Sequence, residues 1–359
     1  DPEPQGEDTH NFWIDPIIKG KPGDWSVIKH WLYSLVCNGD DTAYEYLIDW
    51  LAHAYQKPQE KPGVMLVLMG KEGTGKGTML QLLHLIFGKV VFQVDKSEQM
   101  VGKFNGVLND KYFVWSDEAI FVGAFDHMNS LKHIITEPYI TTELKHQNPQ
   151  SIKSFHRFIA ATNEDHFSSI SPEDRRFAFY RVSEAQMNNP MYWEPFWDAI
   201  NNSGALDAFV YYLANKDISR FNPRVKVVTK ELIRQKELSM TGVSSFLRQV
   251  LDAANFLLVR SNDYSVDGVP YEDEPRIPTI DFLEYYKLYD KTAERHRPLK
   301  HNQVKEQVKT IIPSVEFARK DNRQALQFPT LDVARQEFQR HLTHDIPEWN
   351  LPTNTKEDI

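Results

Sequence analysis

Five predominantly apolar runs lie between residues 64 and 182, and helical patterns separate them. The runs are Val64–Met69, Val90–Val94, Tyr112–Ser116, Phe155–Ala161 and Phe177–Val182. Since apolar residues occupy successive positions in each run and do not alternate regularly with polar ones, both faces of each strand should be covered, as in a largely parallel sheet. This pattern predicts an α/β domain over residues 61–183.

Helical spacing flanks this domain on both sides. Apolar residues recur three and four positions apart in residues 25–60 and again in residues 184–245, which predicts an N-terminal helical segment and a helical extension. Residues 1–24 are polar and rich in Pro and Gly, which is typical of an extended arm. Residues 246–345 hold two helical patterns followed by two strand-like pieces, which predicts a winged-helix-like domain, and residues 346–359 form a tail.

Composition limits the classes of protein that fit. With 359 residues, the chain is long enough for two or three domains with their own cores. A formal net charge of −9 argues against a general nucleic-acid coat but permits basic groups concentrated on one surface. Cys37 is the only cysteine, which excludes an internal disulfide and a cysteine zinc site. No apolar run approaches the ~18 residues of a membrane span, so we expect no membrane partner.

The strongest chemical signal follows the first apolar run. Residues 70–78 read Gly-Lys-Glu-Gly-Thr-Gly-Lys-Gly-Thr and lead into a helical pattern. Glycines let backbone N–H groups approach phosphate oxygens, and a helix start adds unpaired N–H donors, so this arrangement predicts a binding site for ATP. The predicted contacts are Gly70, Gly73, Thr74, Gly75, Lys76, Gly77 and Thr78.

One position departs from the usual phosphate-loop pattern, in which Ser or Thr follows the lysine directly. Gly77 stands at that position, and Thr78 comes one residue later. We expect Lys76 to reach the outer phosphates and Thr78 to provide the hydroxyl ligand for Mg²⁺. The departure leaves open whether the chain hydrolyses ATP.

Phosphoryl transfer also requires a carboxylate for the metal, a group that orients water, and positive charge at the transition state. Asp117 and Glu118 end the third apolar run, where we expect Asp117 to hold Mg²⁺ and Glu118 to activate water. Asn163 ends the fourth run and could hydrogen-bond the γ-phosphate or the water. Arg175 and Arg176 precede the fifth run, and either could be an arginine finger that acts on a neighbouring subunit.

In order and spacing, these motifs resemble the superfamily-three helicases of small DNA viruses, phages and plasmids, above all the phage and poxvirus-type primase-helicases. The resemblance covers about residues 45–185. It implies an AAA+-like phosphate-loop ATPase fold, a homo-oligomeric ring that is most often a hexamer, and movement on single-stranded DNA in the host cytoplasm. Since the chain does not begin with Met, we expect a primase or primase-polymerase domain to precede it, which would make this chain the helicase half of a phage replication polymerase.

A second similarity concerns a charged hairpin. Residues 140–146 read Ile-Thr-Thr-Glu-Leu-Lys-His and run into a second strand-like piece, residues 151–153. This segment is similar to the channel hairpin of the papillomavirus helicase and polyomavirus large T antigen, in which a Lys-His pair touches the DNA backbone. The resemblance implies that Lys145 and His146 line a central pore. A lysine binds phosphate without reading sequence, as a translocating ring requires.

Two other functions fit parts of the sequence. Nucleoside monophosphate kinases share the Gly-Lys-Gly-Thr ending, but the acidic pair and the asparagine that follow it argue against that class, and the sequence shows no arginine-rich lid. A ring that clamps DNA without hydrolysing ATP is not separated from a helicase by sequence.

Overall fold

The computed structural model describes residues 14–96, 98–102, 105–117, 125–167, 174–225, 227–240, 242–256, 270–289 and 301–342. It divides into two compact units, of which the first ends at Gln235 and the second begins at Lys236. Glu118 and the predicted tail lie outside the described residues, and so does the first part of the predicted arm.

The elements of the first unit follow the predicted alternation of helices and strands. Its described helices are α1 Ser26–His30, α2 Asp41–Gln56, α3 Lys76–Phe87, α4 Glu98–Val101, α5 Phe125–Thr136, α6 Pro190–Asn202, α7 Ala205–Asn215 and α8 Lys230–Leu238, of which the last runs three residues past Gln235. Its described strands are β1 Met65–Met69, β2 Val91–Val94, β3 Phe113–Asp117, β4 Tyr139–Thr142, β5 Gln150–Lys153, β6 Arg157–Thr162 and β7 Phe177–Arg181.

Five strands form one parallel sheet in the order β2-β3-β6-β1-β7. The five predicted strands and their parallel pairing are confirmed, with ends displaced by one or two residues. All five residues of β1 are buried, as expected for a central strand covered on both faces. β4 and β5 pair separately as an antiparallel hairpin.

The helices that precede the sheet strands along the chain, and those that follow them, share one hydrophobic core with the sheet. Trp31, Trp50 and Phe196 are fully buried in the same cluster as Leu66 of β1. The sequence divides this part of the chain into an N-terminal helical segment, a sheet domain and a helical extension. The structure packs their apolar faces together, because a parallel sheet must be covered by helices to stay buried.

The first helix widens before it ends. α1 continues as a π-helical turn, Trp31–Val36, in which the Cys37 N–H donates to the Leu32 carbonyl at 2.9 Å. The Leu35 carbonyl accepts a hydrogen bond of 2.8 Å from the N–H of Ser183, two residues after β7. This bond satisfies a helix-end carbonyl and ties the π-helical turn to the edge of the sheet.

A buried arginine joins α2 to the sheet. Arg157, the first residue of β6, is fully buried. Its Nη1 donates to the Glu60 carbonyl at 3.0 Å. Its Nη2 donates to the Lys57 carbonyl at 3.2 Å and to the carbonyl and Nδ1 of His53, at 3.2 and 2.8 Å. The guanidinium also lies 4.8 Å from the ring centroid of Tyr112. These contacts fasten the end of α2 and the linker into β1 to one end of the sheet.

The same contacts fix the protonation of His53. Its Nδ1 accepts from the arginine, so the ring proton is on Nε2, which faces a Glu60 carboxylate oxygen at 3.3 Å. Burial, together with the charge of Arg157, lowers the pKa of His53 to about 4. The histidine is therefore neutral in the folded chain at neutral pH.

The second unit has its own hydrophobic core. Its described elements are α9 Gly242–Ala253, β8 Arg276–Pro278, α10 Thr279–Tyr289, α11 His301–Ile311, β9 Glu316–Lys320, β10 Arg323–Gln327 and α12 Leu331–Leu342. The three strands form an antiparallel sheet in the order β8-β10-β9, which leaves β9 at an edge. Phe282, Val304 and Leu326 are fully buried between this sheet and the helices.

None of the helices in the described part of the chain has the length and apolar composition needed to cross a bilayer.

Replacement of Arg157 by Met should lower the free energy of unfolding by about 3 kcal/mol or more, because Met leaves the Glu60 carbonyl and Nδ1 of buried His53 without this donor and removes one of the two donors to the His53 and Lys57 carbonyls. Chemical denaturation followed by circular dichroism measures this change. Arg220 is exposed, and Arg220→Met is the matched control, with an expected change within about 0.5 kcal/mol. Equal stabilities of the two variants would show that the buried guanidinium does not hold the unit together.

Candidate functional site

The C-terminal ends of β1, β2, β3 and β6 meet at one edge of the parallel sheet, where a cleft of about 710 Å³ lies. Open α/β sheets bind ligands at this edge. Residues of the glycine-rich loop, the start of α3 and residues at the ends of β2, β3 and β6 line the cleft. The topology therefore gathers the polar groups that the sequence places at separate strand ends.

The backbone of the loop requires glycine at two positions. Gly73 and Gly75 have φ values of 75° and 93°, in the left-handed region. A Cβ atom on Gly73 would lie 2.4 Å from Oδ1 of Asn188, and one on Gly75 would lie 2.4 Å from Cη2 of Trp193. Side chains on the far side of the loop thus exclude anything larger than glycine there. Gly75 is also the N-cap of α3, and no side chain caps that helix within the described residues.

Lys76 is the first residue of α3, and its ammonium group contacts the loop that precedes the helix. Its Nζ donates to the Gly70 carbonyl at 2.5 Å, to the Lys71 carbonyl at 2.8 Å and to Oδ1 of Asn163 at 2.7 Å. The last bond joins the loop to the end of β6, so the structure brings Lys76 and Asn163 into direct contact. The ammonium group of Lys76 and the N-terminus of α3 therefore lie on the same side of the cleft, and both favour the binding of an anion there.

The two positions after the lysine differ in their surroundings. Gly77 is exposed, and a Cβ atom built on it would meet nothing within 4 Å. Thr78 is buried but still lines the cleft. Of the other predicted contacts, Gly70 is buried, and the Thr74 hydroxyl donates to the Lys71 carbonyl at 2.8 Å. Gly70 and Thr74 therefore contribute to the conformation of the loop on its buried side.

Asp117 ends β3 at the cleft with both carboxylate oxygens hydrogen-bonded. Its Oδ2 accepts from Nε2 of Gln93 at 2.5 Å, and its Oδ1 accepts from Nε1 of Trp115 at 2.7 Å. Among the described residues, no three His, Cys, Asp or Glu side chains form a cluster that could hold a metal ion. A Mg²⁺ ion at Asp117 would therefore take most of its ligands from phosphate oxygens and water, which is how this ion is usually bound.

Two of the predicted catalytic residues, Arg175 and Arg176, are not at this cleft, and Glu118 lies outside the described residues. The Arg176 carbonyl accepts from the Met65 N–H at 2.8 Å, which places Arg175 and Arg176 at the start of β1. The five residues of β1 span roughly 16 Å at 3.3 Å each, so both arginines lie at the sheet end opposite the loop.

Sequence reasoning missed several residues around the cleft. Gln93 orients Asp117, and Nδ2 of Asn163 lies 3.4 Å from Oε1 of Glu72. Gln93 could have been found, because it is the polar residue next to the end of β2, the strand that pairs with β3, and polar residues near such ends face one edge of a parallel sheet. Trp193, which backs Gly75, has no comparable signal because it is an apolar position on a distant helix.

The charged hairpin lies apart from this cleft, in the β4–β5 segment. Lys145 and His146 are exposed in its loop, and His146 has a left-handed φ of 66°. Asn105 holds the end of β4, because its side chain donates to the Thr141 carbonyl at 3.1 Å and accepts from the Glu143 N–H at 3.2 Å. The structure thus places the two predicted DNA-binding residues side by side on a hairpin with a fixed base.

A chain of buried hydrogen bonds anchors the other side of the hairpin. Nζ of Lys61 donates to Oγ of Ser154 at 2.6 Å and to two carbonyls at the end of α5. The Ser154 hydroxyl donates to Nδ1 of His156 at 2.9 Å, and Nε2 of His156 donates to the Leu108 carbonyl at 2.9 Å. Because a carbonyl can only accept, this chain fixes the neutral tautomer of the histidine.

Burial dominates the titration of both basic groups in this chain of bonds. It lowers the pKa of His156 to about 4 and, together with the charge of Arg224, lowers the pKa of Lys61 to about 7, against the opposing effect of Glu137. The base of the hairpin therefore rests on groups that carry less charge than usual at neutral pH.

Comparisons with known proteins bear on this arrangement. A family model described only as a family of unknown function, DUF5906, matches residues 68–176, from the end of β1 to the start of β7. The DNA primase-polymerase of Nitratiruptor phage NrS-1 is 28% identical over 249 residues, which are 67% of this chain and 33% of the phage protein. This chain is related to a phage DNA primase-polymerase. The predicted relationship to phage primase-type replication proteins is thus confirmed.

The structural match extends further along the chain than the sequence match. An apo structure of the NrS-1 C-terminal region superposes with a TM-score of 0.60 at 20% identity, covering 88% of this chain and 77% of that one. A second apo form of the same region gives the same TM-score and identity. At this identity the match shows a shared fold. The sequence alignment spans about a third of the length of the NrS-1 protein.

Replacement of Gly75 by Ala should destabilise the loop, because the new Cβ atom would overlap Trp193 and alanine disfavours a φ of 93°. We expect a loss of about 1–3 kcal/mol in unfolding free energy. Gly77→Ala is the matched control, since that position is open and helical, and it should be neutral or stabilising by up to about 1 kcal/mol. Denaturant melts of both variants measure the difference, and a Gly75→Ala variant as stable as wild type would contradict this account of the loop.

The free energy of unfolding should fall as pH drops from about 6.5 to 4, because unfolded histidines bind protons at pH values where folded His53 and His156 stay neutral. Above pH 6.5 this contribution is fully present. His156→Asn should reduce the slope in this window by up to about 1.4 kcal/mol per pH unit. Urea melts at stepped pH measure the slope, with His84→Asn at an exposed position of α3 as control. An unaltered slope in the His156 variant would rule out a neutral buried histidine.

Proposed function

We propose that this chain is a phage replication ATPase of the helicase type, which binds ATP with Mg²⁺ at the β1–α3 loop and uses its hydrolysis to move on single-stranded DNA. The observation that carries this proposal is the position of Lys76. Its ammonium group lies at the C-terminal edge of the sheet, in contact with the loop carbonyls and with Asn163.

The backbone conformation of the loop supports the binding of a triphosphate. Two glycines adopt conformations that only glycine takes readily, in places where a Cβ atom would collide with neighbouring side chains. No side chain caps the start of α3 within the described residues, so phosphate oxygens could accept hydrogen bonds at this helix end. Bound ATP with Mg²⁺ would supply the phosphoryl group and the positive charge that neutralises its oxygens.

The residues of the cleft would bind the phosphates, hold the metal ion and position the attacking water. Lys76 would exchange its carbonyl contacts for the outer phosphates. Asn163, which already faces the ammonium group, would orient a phosphate oxygen or the attacking water. Asp117 and Thr78 would hold the metal ion, with Gln93 keeping the carboxylate in place. Glu118 follows Asp117 directly and is the proposed water activator.

The arginines support a ring rather than a solitary ATPase. Arg175 and Arg176 lie at the sheet end opposite the loop, so they could reach a bound triphosphate only in another copy of the chain. An arginine supplied in trans is a known way to stabilise the charge of phosphoryl transfer. We therefore propose a homo-oligomer with a site at each subunit boundary, most simply a hexamer.

Lys145 and His146 would contact DNA from the hairpin. Both side chains are exposed in a loop whose base is fixed by Asn105 and by the Lys61–Ser154–His156 bonds. An ammonium group on a rigid support binds the phosphate backbone without reading sequence. The similarity to a DNA primase-polymerase favours DNA as the partner and favours a primase-type domain linked to this chain in the full protein.

Lys76→Ala should lower ATP turnover by about a hundredfold or more, since it removes the principal cation of the loop. Phosphate release measured with and without single-stranded DNA tests this expectation. Wild type should be stimulated by DNA. Lys145→Ala should weaken both the stimulation and DNA affinity, whereas exposed Lys29→Ala, the matched lysine control on α1, should behave as wild type.

The alternatives give different results in the same assay. Transfer of phosphate to AMP without any effect of DNA would indicate a nucleoside monophosphate kinase. ATP binding without turnover in intact oligomers would indicate a DNA clamp. Turnover by Lys76→Ala equal to wild type would overturn the assignment of the site.

A further inference from the structure

A groove in the second unit has features that the proposed ATPase does not use. It lies between α11 and the edge strand β9 and has a volume of about 550 Å³. Lys305 and Asn302 of α11 line one side, and Phe317 and Arg319 of β9 line the other. The volume is within the range of sites that take small ligands.

Phe317 is an unusual residue to find on this surface. Half of its side chain is exposed, at 50%, although Leu326, its partner across the β9–β10 pair, is fully buried. Cross-strand partners point to the same face of a sheet, so Phe317 lies on the core-facing side but beyond the edge of the core. An aromatic ring held open to solvent by a paired strand offers a flat face for stacking.

Two ammonium groups flank this ring. Nζ of Lys305 lies 5.4 Å and Nζ of Lys309 lies 5.3 Å from the Phe317 ring centroid. The two lysines are four residues apart on α11, so their charges repel each other. Their hydrogen bonds go to neutral acceptors, namely Gln324 Oε1 at 2.5 Å and the Val315 carbonyl at 3.2 Å. A bound anion would relieve this repulsion.

One more charge on the edge strand adds to the same surface. Arg319 stands two positions after Phe317 on β9, so it points to the same face, and it is exposed. Lys320 and its cross-strand partner Arg323 lie on the opposite face. Glu306 of α11 lines the groove itself, and Glu316 precedes Phe317 on β9. Three cationic side chains at the groove, Lys305, Lys309 and Arg319, outnumber these two carboxylates. Basic groups placed around an exposed aromatic ring are typical of surfaces that bind single-stranded nucleic acid.

We propose that the groove between α11 and β9 binds single-stranded DNA, with one unpaired base stacked on Phe317 and the adjoining phosphates held by Lys305, Lys309 and Arg319. An unpaired base is required because a base inside a duplex does not expose its face to a side chain. Stacking on a ring and charge pairing with phosphates give no preference for sequence. The site belongs to the second unit and does not depend on ATP hydrolysis.

Binding measurements test the stacking interaction. Fluorescence anisotropy with a labelled thymidine oligonucleotide of about twelve residues should show that Phe317→Ala weakens binding by the full chain at least about fivefold, while Phe317→Trp retains it. Val333, which is also exposed and apolar in this unit, is the matched control, and Val333→Ala should bind as wild type. Measurement without nucleotide keeps the result separate from any failure of ATP turnover.

The salt dependence of DNA binding tests the role of the two lysines. The double variant Lys305→Gln, Lys309→Gln should lower the slope of log affinity against log salt concentration by about 0.7 for each phosphate that the variant no longer neutralises. Lys287→Gln, at an exposed lysine on α10 of the same unit, should leave the slope unchanged. Wild-type affinity in Phe317→Ala, or an equal loss of affinity for duplex and single-stranded DNA, would overturn the stacking proposal.

Photocrosslinking locates the bound DNA without any substitution. DNA that contains bromodeoxyuridine should attach on irradiation to the tryptic peptide Thr310–Arg319, which carries Phe317. This measurement decides the question even if a Phe317 variant fails to fold. DNA adducts found on other peptides, with none on Thr310–Arg319, would overturn the proposal.

Discussion

The first unit depends on one buried cation. A guanidinium group in a protein interior costs several kcal/mol unless its N–H groups are hydrogen-bonded. Arg157 meets this condition at Nη1 and Nη2, which donate to the last turn of α2 and to the linker that follows it, while its buried Nε has no hydrogen-bond partner among the described residues. The linker leads directly into β1, which pairs with β6, the strand that Arg157 begins. The arginine thus fixes where β1 starts.

The two ends of β6 connect this interior charge with the cleft. Arg157 stands at the first position of the strand, and Asn163 follows its last residue and contacts Lys76. The hairpin with Lys145 leads into β6 through Ser154 and His156, which are themselves hydrogen-bonded to Lys61 of the linker. One strand therefore carries the amide that contacts Lys76 at one end and the support of the hairpin at the other. Displacement of β6 would move both together.

Local signals in the sequence predict much of this arrangement. The strands follow from apolar runs, and Lys76 and Asn163 follow from the position of polar residues after such runs. The hydrogen bond between Arg157 and His53 joins residues about a hundred positions apart, and the sequence around neither residue predicts this contact. The common core of the helical segments and the sheet also escapes local patterns, because periodicity shows which face is apolar and not what covers it. The exposure of Phe317 is likewise set by the strand order.

The widened turn at residues 31–36 has a consequence for chain length. A π-helical turn contains more residues than the α-helical turn it replaces, so deletion of one residue there would let the helix tighten. The residues before and after the deletion would keep nearly their present orientation, because a π-helical turn is one residue longer than the α-helical turn that replaces it. A deletion within α2, by contrast, would rotate the rest of that helix by about 100° and turn its buried side chains towards water. We therefore expect related chains to tolerate the loss of one residue in this turn more readily than the loss of one residue in α2.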